Sequence, residues 1–369
     1  VNFGARSGPW LVSQRFDLAA FSAPAVVALA LVPFGRWFDG GLPLPMWVVA
    51  VLAVDVAHVY ATLFVTYLEP RGRKQFAPWL VGTPLVAFFA SATALAVSGR
   101  LFWTLLAYTA VFHFVRQQVG WVALYQRREP DLGRLERALD RVAVYASTLY
   151  PLLWWHAHLP RRYHWFLPGD FVDGLVAPEV VEVLGLAYAG VLLGFFGVQA
   201  ARLATGRRVA AGKVVVVATT AATWGVGILV TNTDWAFTLT NVLVHGVPYT
   251  AFVWHRCGGR VAGRSVSLGA FASLLVVFAY VEELAWDRLV WHDAATLFPG
   301  PALSLGEPWG RLAVAVLAVP QLTHYILDAR IWRRPRGPGA GARTEGRNAT
   351  HDMANASRPA TAIQGGSGY

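Results

Sequence analysis

Ten apolar runs, each about 17 to 26 residues long and separated by short connections, constrain this chain more than any other feature of it. A helix needs roughly 20 residues to cross the hydrocarbon core of a bilayer, and inside that core each backbone amide must be satisfied within its own segment. Runs of this length therefore predict helices. They cover Leu18 to Phe34, Leu44 to Leu68, Pro78 to Ser98, Leu101 to Gln126, Val142 to Leu159, Val180 to Thr205, Val214 to Thr231, Ala236 to His255, Leu268 to Trp286 and Arg311 to Trp332. The expected fold is an all-α, polytopic integral membrane helical bundle of about ten transmembrane helices occupying residues 1–332. Composition agrees, with 56% hydrophobic and 14% charged residues, where soluble domains carry about 25% charge. Residues 333–369 are Gly, Ala, Ser, Arg and Pro without an apolar period and predict a disordered cytoplasmic tail.

The formal charge of +10 does not point to nucleic acid, because the basic residues sit between apolar runs and in the tail. Connections rich in them alternate with poor ones. Arg71, Arg73 and Lys74 follow the second run, Arg127 to Arg141 the fourth, Arg207, Arg208 and Lys213 the sixth, and Arg256, Arg260 and Arg264 the eighth. Only Arg36, Arg100, the pair Arg161 and Arg162, and Arg288 mark the connections after the first, third, fifth and ninth, and none the seventh. The positive-inside rule then predicts both termini in the cytoplasm and a plasma or inner membrane location. The polar stretch Val1 to Arg15 does not read as a cleavable leader. Cys257, the single cysteine, excludes an intrachain disulfide and a cysteine-ligated metal cluster held by this chain alone.

Four of the ten histidines fall inside runs: His58, His113, His245 and His324. All four of their helices are expected to run from outside to inside, and the histidines lie about 9 to 14 residues from the outer ends, roughly 14 to 21 Å deep at 1.5 Å per residue. Each has polar neighbours at helical spacing: Asp55 for His58, Arg116 and Gln117 for His113, Asn241 and Tyr249 for His245, Gln321 and Asp328 for His324. Ionisable groups at this depth are costly and mark function, and a ligating imidazole commonly gives its second N–H to an acceptor that fixes its orientation. The four histidines are therefore the expected metal ligands. Asp55 and Asp328 are further ligands or orienting and catalytic groups, Tyr249 joins the catalytic set, and Gln117, Asn241 and Gln321 form the supporting shell. Pro248 is expected to kink its helix and release a carbonyl near the site. His156 and His158 at the end of the fifth run read as interfacial polar residues.

An all-imidazole set suits iron, with copper or zinc as alternatives, rather than magnesium or calcium. Placed in lipid and reached by apolar molecules and dioxygen, it predicts an oxygenase, desaturase or hydroxylase of a lipid, hydrocarbon or isoprenoid, with membrane lipids as surroundings and an electron donor as partner where the reaction needs one. Single histidines scattered over separate spans resemble the layout of membrane desaturases and hydroxylases and of bacterial carotene-cleaving membrane oxygenases, whose iron is bound in that way. The likeness is one of layout, since the desaturase boxes HxxxH and HxxHH do not occur here. Two other readings use the same residues: a proton-coupled transporter with a His/Asp relay, and a membrane electron carrier with bis-histidine haem.

Overall fold

A computed structural model describes residues 8–261 and 263–332; the expected tail, residues 333–369, lies outside the described residues. The chain forms α1 (Gln14–Leu31), prolonged by a 3-10 turn to Phe38, and then α2 (Leu44–Trp47), which passes through a π segment (Val48–Val56) into α3 (Ala57–Val65). There follow α4 (Pro70–Val97), α5 (Gly99–Gln126), α6 (Arg134–Ala157), α7 (Pro178–Ala204) and α8 (Ala211–Trp224), the last extended by a π turn to Val230. The last elements are α9 (Asp234–Cys257), α10 (Leu268–Trp286) with a π turn to Trp291, α11 (Trp309–Leu317) and α12 (Val319–Ile331). The strands among the described residues are two short pieces, Arg260–Val261 and Arg264–Ser265, paired antiparallel.

Among the described residues, seven helical rods are long and apolar enough to cross a membrane: Gln14–Phe38, Leu44–Val65, Pro70–Val97, Pro178–Ala204, Ala211–Val230, Leu268–Trp291 and Trp309–Ile331. The chain thus has the character of a membrane protein. At 28, 24 and 24 residues, α5, α6 and α9 have the length but are too polar to join that group. For α5 and α9 the reason is position. Buried residues occur around most of each helix, with α5 packed on α4, α6, α8 and α12, and α9 on α1, α3, α8 and the π segment before α3. Polar side chains there face protein. The outer helices reverse the pattern of a soluble domain, with Val183, Leu186 and Leu193 of α7 and Val277 and Val281 of α10 more than half exposed. Exposed apolar surface of that extent fits contact with lipid.

Local signals explain the boundaries. The Ser98 hydroxyl accepts the Leu101 N–H to start α5, Thr233 accepts the Ala236 N–H to start α9, and Gly258, at φ 58°, ends α9 in the left-handed conformation. Pro248 inside α9 donates no hydrogen bond to the Val244 carbonyl four residues back, and Gln118 Nε2 donates to that carbonyl at 3.4 Å. The released carbonyl is therefore used by a neighbouring helix. Gly246 permits a close approach of α9 to the π segment: a Cβ at this position would stand 2.9 Å from the Val54 carbonyl oxygen.

Connections of like charge content meet one another. Around the α7–α8 connection, Arg202, Arg207 and Lys213 reach carboxylates in the α5–α6 connection and the first turns of α6. Lys213 donates to Glu129 at 2.7 Å and Asp140 at 2.9 Å, and Arg202 to Glu136 at 2.9 Å and Asp131 at 3.1 Å. The Gly133 N–H, joined by Arg207 and Arg202, holds the Glu136 carboxyl down to about 2. Among the poor connections, Arg161 donates to the Thr231 carbonyl at 2.7 Å, and Arg162 pairs its N–H with Asn232 at 2.8 Å and its guanidinium with the Asp39 carbonyl at 2.8 Å.

Candidate metal centre

The π segment ahead of α3 sets the first histidine. Its hydrogen bonds close one residue wider than those of an α-helix, and the return to α geometry at Ala57 shifts the ladder. At this junction the His58 Nδ1–H donates to the Asp55 carbonyl. That fixes the tautomer and leaves His58 Nε2 buried without a hydrogen-bond partner. The Asp55 carboxylate lies 3.8 Å from the same Nδ1.

The other three rings are held in different ways. His113, on α5, stacks on Tyr325 with ring centroids 4.4 Å apart. Its Nδ1 is 3.9 Å from Asp328 Oδ2, and the other oxygen of Asp328 accepts the Trp332 indole N–H at 2.7 Å. His245, on α9, lies flat against Phe114 at 3.6 Å between centroids, and neither of its ring nitrogens has a partner. His324, on α12, places Nδ1 at 2.7 Å from the Thr62 hydroxyl, which is itself 2.8 Å from the Tyr249 hydroxyl.

These rings converge. One nitrogen from each of His58, His113, His245 and His324 lies within 4.8 Å of the others, and no residue of the four is more than 4% exposed. His58 and His113 each meet His245 and His324 edge-on at centroid distances of 4.6 to 4.9 Å. The Nε2 atoms of His113 and His324 approach to 3.2 Å. With the proton of each ring on Nδ1, which for His324 lies 2.7 Å from the Thr62 hydroxyl, the two Nε2 lone pairs would face each other, an arrangement a cation between them would stabilise. Metal–imidazole bonds of about 2.0–2.1 Å put two donors of one ion at most about 4.2 Å apart, so small side-chain adjustments close this set on a single ion. The buried four-histidine group therefore has the donors and the spacing to bind a metal ion.

A cavity of about 690 Å³ reaches this centre. At its inner end it is lined by Asp55, His58, Phe114, Asn241, Gln321 and Tyr325; at its other end stand residues of the connections after α6 and α10, including His164, Trp165, Trp291 and Phe298. Asn241 donates its amide N–H to the Phe237 carbonyl at 2.8 Å, which leaves its Oδ1 without a partner. Gln321 donates to the Tyr325 hydroxyl at 2.7 Å. Gln117 is buried one turn along α5 from His113 with neither amide atom partnered, while Arg116 turns away to the Tyr145 hydroxyl. Tyr249 is fully buried behind His324, outside the cavity lining. Asp328 likewise stands behind a histidine.

Thr62, Phe114, Tyr325 and Trp332 were not among the expected site residues. Thr62 lies four residues after His58, so a helical-face search from His58 would reach it, yet it serves His324 on another helix. His156 is satisfied elsewhere, between the Tyr108 hydroxyl and the Leu152 carbonyl, each at 2.8 Å. No protein-family model matches this chain, and comparison with curated proteins and with solved structures returns no match either.

Proposed function

We propose that the four-histidine group is the metal centre of a membrane-embedded oxidoreductase, an oxygenase, desaturase or hydroxylase acting on a lipid, hydrocarbon or isoprenoid. One observation carries this reading: single histidines from α3, α5, α9 and α12 bring four nitrogens within 4.8 Å of one another beside a cavity of about 690 Å³. The bundle is read as ten transmembrane helices with both termini in the cytoplasm of a plasma or inner membrane, supported by the alternation of basic connections and by the contacts between connections of like charge content. Iron is the preferred ion, with copper and zinc as alternatives, because the donors are neutral nitrogens without thiolates. Bound iron would supply the redox chemistry that activates dioxygen toward an apolar substrate, with an electron donor where the reaction requires one.

The protein's own groups have definable tasks in this scheme. Thr62 and the Asp55 carbonyl hold Nδ1–H of His324 and His58, turning each Nε2 inward. Phe114 and Tyr325 fix the ring planes of His245 and His113. Asn241 offers an acceptor to whatever occupies the inner cavity, and the Asp55 carboxylate, about 29% exposed beside His58, can take up or return a proton there. Burial of the rings limits water access. The crowding of four rings also weighs against haem, since a macrocycle inserted between any two would displace the others. Against the transporter reading stands the pairing of buried imidazole nitrogens with no proton acceptor beyond the cluster for His245.

Metal analysis of detergent-purified protein tests the proposal. Near-stoichiometric transition metal without a Soret band is expected; protein purified and reconstituted without taking up any transition metal would refute it. Thr62→Val removes the acceptor that orients His324 and is expected to weaken metal affinity about 10–100-fold, the usual cost of losing such a partner, as read by competition with a chelator.

A further inference from the structure

The cavity that ends on the histidines is strongly one-sided in charge. Its lining includes six carboxylates, Asp55, Asp234, Glu282, Glu283, Asp287 and Asp293, and no lysine or arginine. Two are committed to the fold: Asp287 accepts the N–H groups of Asp293 and Ala294 at 3.2 and 2.8 Å, and Asp234 accepts the Thr238 hydroxyl at 3.1 Å. Glu282 accepts the Tyr60 hydroxyl at 2.7 Å and the Trp286 indole N–H at 3.4 Å. Among the described residues none of the six forms an ion pair with lysine or arginine. Asp293 belongs to the connection after α10, Glu282 and Glu283 lie in the last turn of α10 ahead of its π extension, and Asp55 lies one turn before His58.

A second observation gives this series a direction. Of the four converging histidines, His58 alone lines the cavity. It is 2% exposed and its Nε2 has no partner; Asn241, also lining the cavity and 2% exposed, has an unpartnered Oδ1. Unpartnered buried acceptors on residues that line an acidic cavity are suited to a cation. Phe114 and Tyr325, which also line the cavity, stack on His245 and His113, and Thr62 with Tyr249 backs His324.

We propose that this cavity is the loading route for the metal. A divalent transition-metal ion is drawn in past Asp293, Glu283 and Glu282, passes Asp55 to His58 Nε2, and is then enclosed by the other three imidazoles. The inference rests on the metal-centre reading above. Its physical basis is that a bare divalent ion pays a large desolvation cost in an apolar bundle, while a low-dielectric cleft of one charge sign focuses the field and raises on-rates 10- to 1,000-fold.

Full-length protein stripped of metal with a chelator and held in detergent is mixed with cobalt(II), and uptake is followed by visible absorption with the final cobalt content measured by mass spectrometry. Glu283→Gln removes a carboxyl group to which the structure assigns no hydrogen bond, so it tests the route even where Glu282→Gln/Glu283→Gln folds poorly. Glu307→Gln, outside the cavity, is the control. Uptake slowed several-fold in Glu283→Gln and on the order of tenfold in the double variant, with a weaker salt dependence and an unchanged final cobalt content, supports the route. Wild-type rates in Glu283→Gln overturn it. A lowered final content overturns it too, by making the carboxylates ligands. No uptake by wild type removes the metal reading itself, a result distinguishable from either.

Discussion

Replacing His245 and His324 together by alanine is expected to abolish metal binding while leaving the helical bundle folded. Neither ring nitrogen of His245 has a hydrogen-bond partner, and outside the histidine group His324 is hydrogen-bonded only to Thr62. Their loss therefore removes donors more than it removes structural contacts. Loss of one outer-shell partner already costs about 10–100-fold in affinity, and a ligand costs more, so two lost ligands compound to more than roughly 10⁴-fold. The readout is metal content per chain after purification, with helicity measured alongside by circular dichroism. Metal content equal to wild type in the double variant would overturn the assignment of the centre to these histidines.

The second large effect lies away from the histidines. Lys213 is completely buried and donates to Glu129 and Asp140, which are at most 1% exposed; Asp140 also accepts from Gln126 at 3.0 Å and Gln199 at 3.2 Å. Lys213→Ala leaves Asp140 buried without its cation and Glu129 with only Arg202, 3.9 Å away. Breaking a buried ion pair by removing one partner costs about 3–5 kcal/mol, and a change of this size lowers the melting temperature by on the order of 10 °C in a chain of this length. Thermal denaturation in detergent measures it. Because the penalty comes from the stranded charges, Lys213→Met combined with Glu129→Gln and Asp140→Asn is expected to recover most of the loss. A triple variant as unstable as Lys213→Ala would mean that packing of the lysine stem matters more than its charge.

The histidine centre does not share this network. Glu129, Asp140, Arg202 and Lys213 clamp the ends of α5, α6, α7 and α8, whereas the four converging imidazoles come from α3, α5, α9 and α12. Only α5 serves both, so damage to the clamp reaches the centre through the helix that carries His113. Lys213→Ala should accordingly lower metal affinity less than it lowers thermal stability.

Much of the architecture could be read directly from the chain. Runs of about 17 to 26 apolar residues coincide with helical rods because in lipid the backbone must satisfy its own hydrogen bonds, which makes length and hydropathy nearly sufficient to locate a helix. His58, His113, His245 and His324 stood out because polar groups are rare and costly at that depth, and Pro248 announced a released carbonyl because it lacks an N–H. What the sequence did not determine is which faces meet. Helical periodicity relates residues three or four apart on one helix, so it paired Tyr249 with His245 and Asp328 with His324. In the folded chain, Tyr249 joins Thr62 in orienting His324, and Asp328 stands beside His113. The convergence of the four imidazoles and the acidic cavity beside them arise from the close approach at Gly246, the π segment before His58 and the rotation of each buried helix, all of which depend on side-chain packing between segments far apart in the chain.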